Sequence, residues 1–175
     1  MTNKKTNIVL IGFMGSGKTT IGKLLEKSTG KKLVDIDKSI EQKTKTKIKK
    51  IFALYGEAHF RKLETLAVKV VAKKKNMIIA TGGGVVKKQE NINLLKKTGV
   101  MVYLKSSFKT IVKRVGGRKT RPLFDTAHPE QAEALFKSRL ALYKAAADIV
   151  VDTDKKGKNE VGKIILKNFF IEALK

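Results

Sequence analysis

Eight residues near the start of the chain, Gly12-Phe13-Met14-Gly15-Ser16-Gly17-Lys18-Thr19, set three glycines, a lysine and a hydroxyl at a fixed spacing. Glycine takes backbone angles that other residues resist. Successive N–H groups can therefore converge on phosphate oxygens at the start of a helix. The spacing is that of a phosphate-binding loop. In such a loop Lys18 reaches the β- and γ-phosphates of a nucleotide, and the Thr19 hydroxyl ligates Mg²⁺. A glycine-rich turn that binds nothing is the bland alternative. It leaves unexplained why the lysine and the threonine both sit where the chemistry needs them. The loop implies a nucleotide and leaves the acceptor open.

Further residues suggest an acceptor. Asp35 and Asp37 stand at the end of a short apolar run. Ligands of open parallel sheets sit at the carboxyl ends of strands, and the two carboxylates, one residue apart, are expected there to serve different sides of the site. One could meet a metal, the other an acceptor hydroxyl; an ordinary turn would also use such residues. Arg61 lies in Gly56-Glu57-Ala58-His59-Phe60-Arg61-Lys62-Leu63-Glu64, Gly82-Gly83-Gly84 follow another apolar run, and Arg139 stands four residues before Tyr143. Between them, residues 116–128 form a long polar stretch around Arg121-Pro122-Leu123. A loop of that length in a compact domain reads as a functional lid or as disordered, and its two arginines favour the lid. His59 and His128 have no visible partner and read as surface residues.

These residues need a scaffold. The runs Asn7 to Gly12, Lys32 to Ile36, Met77 to Ala80, Val100 to Leu104 and Asp148 to Val151 are rich in Val and Ile without polar alternation. They read as strands buried on both faces. Helical patterns cover Thr19 to Ser28, Lys49 to Lys74 (broken near Gly56), Lys88 to Lys97, Ser107 to Val115, Pro129 to Ala146 and Asn159 to Leu174. Their alternation predicts an α/β fold, a five-stranded parallel sheet flanked by helices in three layers. The 175 residues suit a single domain spanning 1–175 with a sizeable core.

Composition narrows the class. Apolar residues make up 42% and charged residues 31%, and no apolar run approaches the roughly 20 residues of a membrane span. No secretory signal pattern is visible. With no cysteine, disulfides and cysteine-ligated metal are excluded. A cytoplasmic protein with no membrane partner is expected. The net charge is +24, and Lys38 to Lys75 alone holds twelve basic residues against three acidic ones. Such a field attracts polyanions. The simpler reading is a solvated lysine-rich surface that also favours anionic substrates.

In order along the chain, the phosphate loop, Asp-x-Asp, Phe-Arg-x-x-Glu, the triple glycine, Arg-Pro-Leu and Arg-x-x-x-Tyr resemble the shikimate kinase family, over about Asn7 to Thr153. The resemblance implies a P-loop kinase fold of the nucleoside monophosphate kinase type, with residues 116–128 as its lid. It implies transfer of the ATP γ-phosphoryl to the 3-hydroxyl of shikimate, on the route to chorismate and the aromatic amino acids, with Mg²⁺. It assigns catalytic roles to Lys18, Asp37 and Arg121. ATP would meet Gly15, Ser16, Gly17, Lys18, Thr19, Thr20, Arg114 and Arg121, with Arg114 against the adenine. Shikimate would meet Asp37, Arg61, Gly82, Gly83, Gly84 and Arg139, the two arginines clamping its carboxylate. The metal would be held by Thr19 and, through water, by Asp35. A monomer with shikimate and ATP as its partners, and no specific nucleic acid, is expected.

The sequence departs from the family pattern at Lys45, where relatives often carry glycine, and at Phe124 in Arg-Pro-Leu-Phe. The segment Thr153 to Gly157 is too generic to align, which leaves Lys155 and Lys156 unassigned. A gluconate or nucleoside monophosphate kinase would share the loop and sheet, but Arg61, Arg139 and the aspartates favour an anionic acceptor bearing hydroxyls. A nucleic-acid-binding ATPase would fit the charge. It is disfavoured by the absence of tryptophan and of interleaved aromatic and basic residues.

Overall fold

The computed structural model describes residues 5–115 and 129–174. Five strands, β1 (Asn7–Ile11), β2 (Lys32–Asp35), β3 (Met77–Ala80), β4 (Gly99–Lys105) and β5 (Ile149–Asp152), form one sheet in the order β2-β3-β1-β4-β5. Every pairing is parallel. The helices are α1 (Lys18–Thr29), α2 (Ile36–Thr44), α3 (Ile48–Val71), α4 (Gln89–Lys96), α5 (Phe108–Val115), α6 (Pro129–Ala146) and α7 (Lys158–Glu172), with a short 3-10 turn at Val85–Lys87.

The period-2 alternation of strand side chains divides the core in two. Ile8 and Leu10 of β1, Ile78 of β3 and Val100 and Val102 of β4 face α1 and α7, packing on Ile21, Leu25, Val161 and Ile165. Val9, Ile11, Ile79, Met101 and Tyr103 face the opposite way, onto Phe60 and Val68 of α3, Leu95 of α4 and Phe136 and Tyr143 of α6. The result is the expected three-layer arrangement.

Three expectations are corrected. Burial on both faces holds for the inner strands, but the edge strand β2 is nowhere fully buried and β5 alternates, because each has one neighbour only. Asp35-Ile36-Asp37 is not all strand end, where residues two apart would share one face: the strand stops at Asp35 and a helix begins at Ile36. Asp35 ends β2 and caps α2, its side chain accepting the Lys38 N–H, and Asp37 lies in the first helical turn. The helix α2 itself had no place in the sequence reading. The break near Gly56 is real: that residue has φ 73° and ψ 175° within α3. Chain reversal after α2 falls on Lys45, at φ 52°.

Candidate active site

Strand β1 lies at the centre of the sheet, with β3 on one side and β4 on the other, so its carboxyl end opens onto a crevice. The loop 12–17 fills that end. Gly12, Gly15 and Gly17 all have positive φ, and Gly17 begins α1 without a side-chain cap. The first amides of α1 are thus left without a side-chain cap and face an incoming anion. Lys18 Nζ donates to the carbonyls of Gly12 at 2.7 Å and Phe13 at 2.9 Å, which arches the side chain over the loop. Ser16 Oγ is buried and has no hydrogen-bond partner among the described residues. The Thr19 hydroxyl donates to Asp35 Oδ2 at 2.9 Å, joining α1 to the end of β2. Neutral and anionic oxygens of this kind suit a hard cation such as Mg²⁺.

On the far side of the crevice, two arginines are almost withdrawn from solvent, Arg61 at 8% and Arg139 at 2% exposure. Arg61 pairs with the fully buried Glu64, Nη1 to Oε2 at 2.8 Å, and with Glu57 Oε1 through Nε and Nη2 at 3.1 Å each. Glu57 also holds Lys87 at 2.7 Å. Burial alone would lower the Arg61 guanidinium, but Glu64 and Glu57 outweigh it and hold it above its ordinary value. Burial pushes the Glu64 carboxyl up, against the pull of Arg61. Arg139 Nη1 donates to the Gly83 carbonyl at 3.2 Å, its guanidinium lies 5.7 Å from the Phe13 ring, and its buried Nε has no partner among the described residues. The first and third of the three glycines fit where side chains would not. A Cβ at Gly82 would lie 2.7 Å from Asp37 Oδ1 and from Glu64 Oε1, and one at Gly84 would lie 2.3 Å from Arg61 Nη2.

A third corner is built by Arg114 of α5. It donates to Ser106 Oγ and Thr153 Oγ1 at 3.1 Å and to the Thr153 carbonyl at 2.8 Å, tying the ends of β4 and β5 together. One continuous cleft of about 1000 Å³ joins the three corners. Gly15, Ser16, Gly17, Lys18, Thr19, Thr20, Asp35, Asp37, Arg61, Gly82, Gly83, Gly84, Arg114 and Arg139 all line it. Arg121 and the expected lid lie outside the described residues. His59 is exposed against the Tyr55 ring, as expected of a surface residue; His128 lies outside the described residues.

The sequence reading gave no role to Glu64 or Tyr143, although both stood in the quoted motifs. Glu64 could have been found from its i+3 spacing to Arg61, which puts the two on one helix face. Lys156 and Lys158 line the cleft as well, whereas Lys155 is not among its lining residues.

The cleft therefore has a phosphate cradle at one end and paired guanidiniums at the other. A family model described as shikimate kinase matches residues 14–169. A shikimate kinase of Thermodesulfovibrio yellowstonii is 43% identical over 164 residues, covering 93% of this chain and 94% of its own. One from Coxiella burnetii is 42% identical over 169 residues, covering 95% and 94%. The solved structure of shikimate kinase from Acinetobacter baumannii in complex with shikimate is 33% identical, with a TM-score of 0.91, and covers 99% of this chain and 97% of its own. Matching over nearly the full length in sequence and in backbone alike, the chain belongs to the shikimate kinase family.

Proposed function

We propose that the cleft transfers the γ-phosphoryl of ATP to the 3-hydroxyl of shikimate, with a division of labour among the residues named above. The observation that carries it is the pair of buried guanidiniums facing the phosphate loop across a single cleft. A buried arginine needs an anion, and a planar guanidinium suits a carboxylate because it donates two parallel hydrogen bonds. Glu64 and Glu57 hold Arg61 in place, and Arg139 lines the same cleft to meet the substrate carboxylate beside it.

Phosphoryl transfer depends on positioning and charge neutralisation more than on covalent chemistry. The loop amides and Lys18 hold the phosphates. Thr19 and Asp35 would hold Mg²⁺, Asp35 through water; when bound, the ion neutralises charge on the phosphate tail. Asp37 orients the acceptor hydroxyl and takes its proton. Arg121 is the proposed lid arginine that meets the transferring group. Arg114 lies on the adenine side. Every group invoked belongs to one chain, so a monomer suffices.

The test is ADP release in a coupled assay. It should be slow with Mg²⁺ and ATP alone and rise strongly with shikimate, but not comparably with gluconate, AMP or quinate. It should stop with a chelator and recover on adding Mg²⁺. A larger response to any other acceptor would overturn the substrate assignment.

A further inference from the structure

Tyr143 is fully buried, and its hydroxyl donates to the carbonyl of Gly83. The ring is held independently of that bond, stacked on Tyr103 of β4 with centroids 5.1 Å apart and planes 22° apart. Burial pushes the phenol far above its ordinary value, so the hydroxyl remains a donor across any working pH. The same carbonyl accepts from Arg139 Nη1 at 3.2 Å. Arg139 and Tyr143 are four residues apart on α6, so one helix face delivers both.

The Gly83 carbonyl and the Gly84 N–H belong to one planar trans peptide and point in opposite directions. Drawing the carbonyl into α6 therefore turns the Gly84 N–H away from α6. Gly83 is also close to the phosphate loop, its Cβ position lying 3.4 Å from Met14 N and 3.7 Å from the Gly12 carbonyl. A tilt of this peptide would move a backbone donor and the Arg139 guanidinium together.

We propose that Tyr143 is a positioning residue for the acceptor: its hydroxyl fixes the Gly83–Gly84 peptide and, through the shared carbonyl, the Arg139 guanidinium. This rests on the reading of the cleft as a shikimate site. Tyr143 is not among the residues that line the cleft. Its ring alone would serve packing between α6 and β4, and phenylalanine would supply that equally well. Its hydroxyl acts on the acceptor half only.

Steady-state kinetics of Tyr143→Phe separate the two roles, with Tyr103→Phe as the control that alters the same stack without touching Gly83. In Tyr143→Phe the shikimate KM should rise about 5- to 10-fold, the worth of one net hydrogen bond. Both kcat and the ATP KM should stay within about twofold of wild type. Placed in an Arg139→Ala background, Tyr143→Phe should have a smaller effect than in wild type, because the part relayed to the guanidinium is gone and only the peptide's own part is left. An unchanged shikimate KM, or shikimate and ATP KM rising together, would overturn the proposal. So would loss of the folded state in Tyr143→Phe while Tyr103→Phe folds, which would assign the hydroxyl to stability. Failure of the wild-type protein to phosphorylate shikimate would instead strike the functional reading.

Discussion

Replacing Gly84 by alanine should damage the acceptor site without altering a single charged residue in it. The added methyl would lie 2.3 Å from Arg61 Nη2, 2.4 Å from Nη1 and 2.5 Å from Cζ. Non-bonded heavy atoms sit comfortably at about 3.5 Å, so the guanidinium must retreat by roughly 1 Å. That retreat is restrained by its partners. Nη1 is held by Glu64 at 2.8 Å, Nε by Glu57 at 3.1 Å, and the Phe60 ring lies 5.2 Å from its centre. Losing one hydrogen bond to a charged group costs about 1.5–3 kcal/mol, which corresponds to roughly 10- to 100-fold in affinity. The shikimate KM should rise by that factor. The carboxylate charge is the same before and after transfer, so kcat should fall less than about threefold, and the ATP KM should not change. Steady-state kinetics with each substrate varied in turn provide the measurement. A wild-type shikimate KM in a folded Gly84→Ala protein would refute the packing argument. A parallel rise in the ATP KM would show that the methyl disturbs the whole cleft.

Lys45→Gly removes a lysine from a left-handed conformation at φ 52°. The strain is about 1–2 kcal/mol, partly offset by the greater freedom of glycine in the unfolded chain, so Tm should rise by about 1–4 °C; a lower Tm would contradict this. Arg114→Ala breaks three hydrogen bonds at the ends of β4 and β5, and should raise the ATP KM about tenfold with little effect on shikimate, which nucleotide titration of the variant would check. Asp152 is held below its ordinary value chiefly by accepting the Asp154 N–H, and Asp154 by accepting from Ser107 against the opposing effect of burial. A carboxyl lowered by folding stabilises above its unfolded value, near pH 4, and loses that contribution as pH falls through the folded one. Thermal melts should therefore show Tm dropping in acid below about pH 4, with a shallower drop in the Asp152→Asn, Asp154→Asn double variant.

The phosphate half of the site was legible because it is local. Eight consecutive residues and the strand before them specify the loop, and Lys18 and Thr19 lie where their spacing puts them. The acceptor half is assembled from α2, α3, the turn after β3 and α6, so only the resemblance related Arg61 to Arg139. Helix α2 escaped because Asp35 ends the strand and caps the helix at once, leaving no turn signal between them, and because the helix has only nine residues and buries only Ile36 and Ile40. Glu64 and Tyr143 escaped for a different reason. Each acts by holding another group, Arg61 or the Gly83 carbonyl; the i+3 spacing to Arg61 was a local clue for Glu64, whereas spacing reveals no such support for Tyr143.

Arginine usage separates the site from the surface. Only five of the 39 basic residues are arginine, and the three among the described residues, Arg61, Arg114 and Arg139, all line the cleft. A guanidinium is weakly hydrated and makes fixed, paired hydrogen bonds, so it survives burial; an ammonium is strongly hydrated and flexible, and stays in water at little cost. The lysines of α3, such as Lys50, Lys62 and Lys69, are accordingly exposed. At physiological salt their field decays over about 8 Å, whereas buried charges are screened far less. The surface lysines can thus draw anions toward the protein, while in the proposed site discrimination between one anion and another would fall to two arginines held by Glu57, Glu64 and the Gly83 carbonyl.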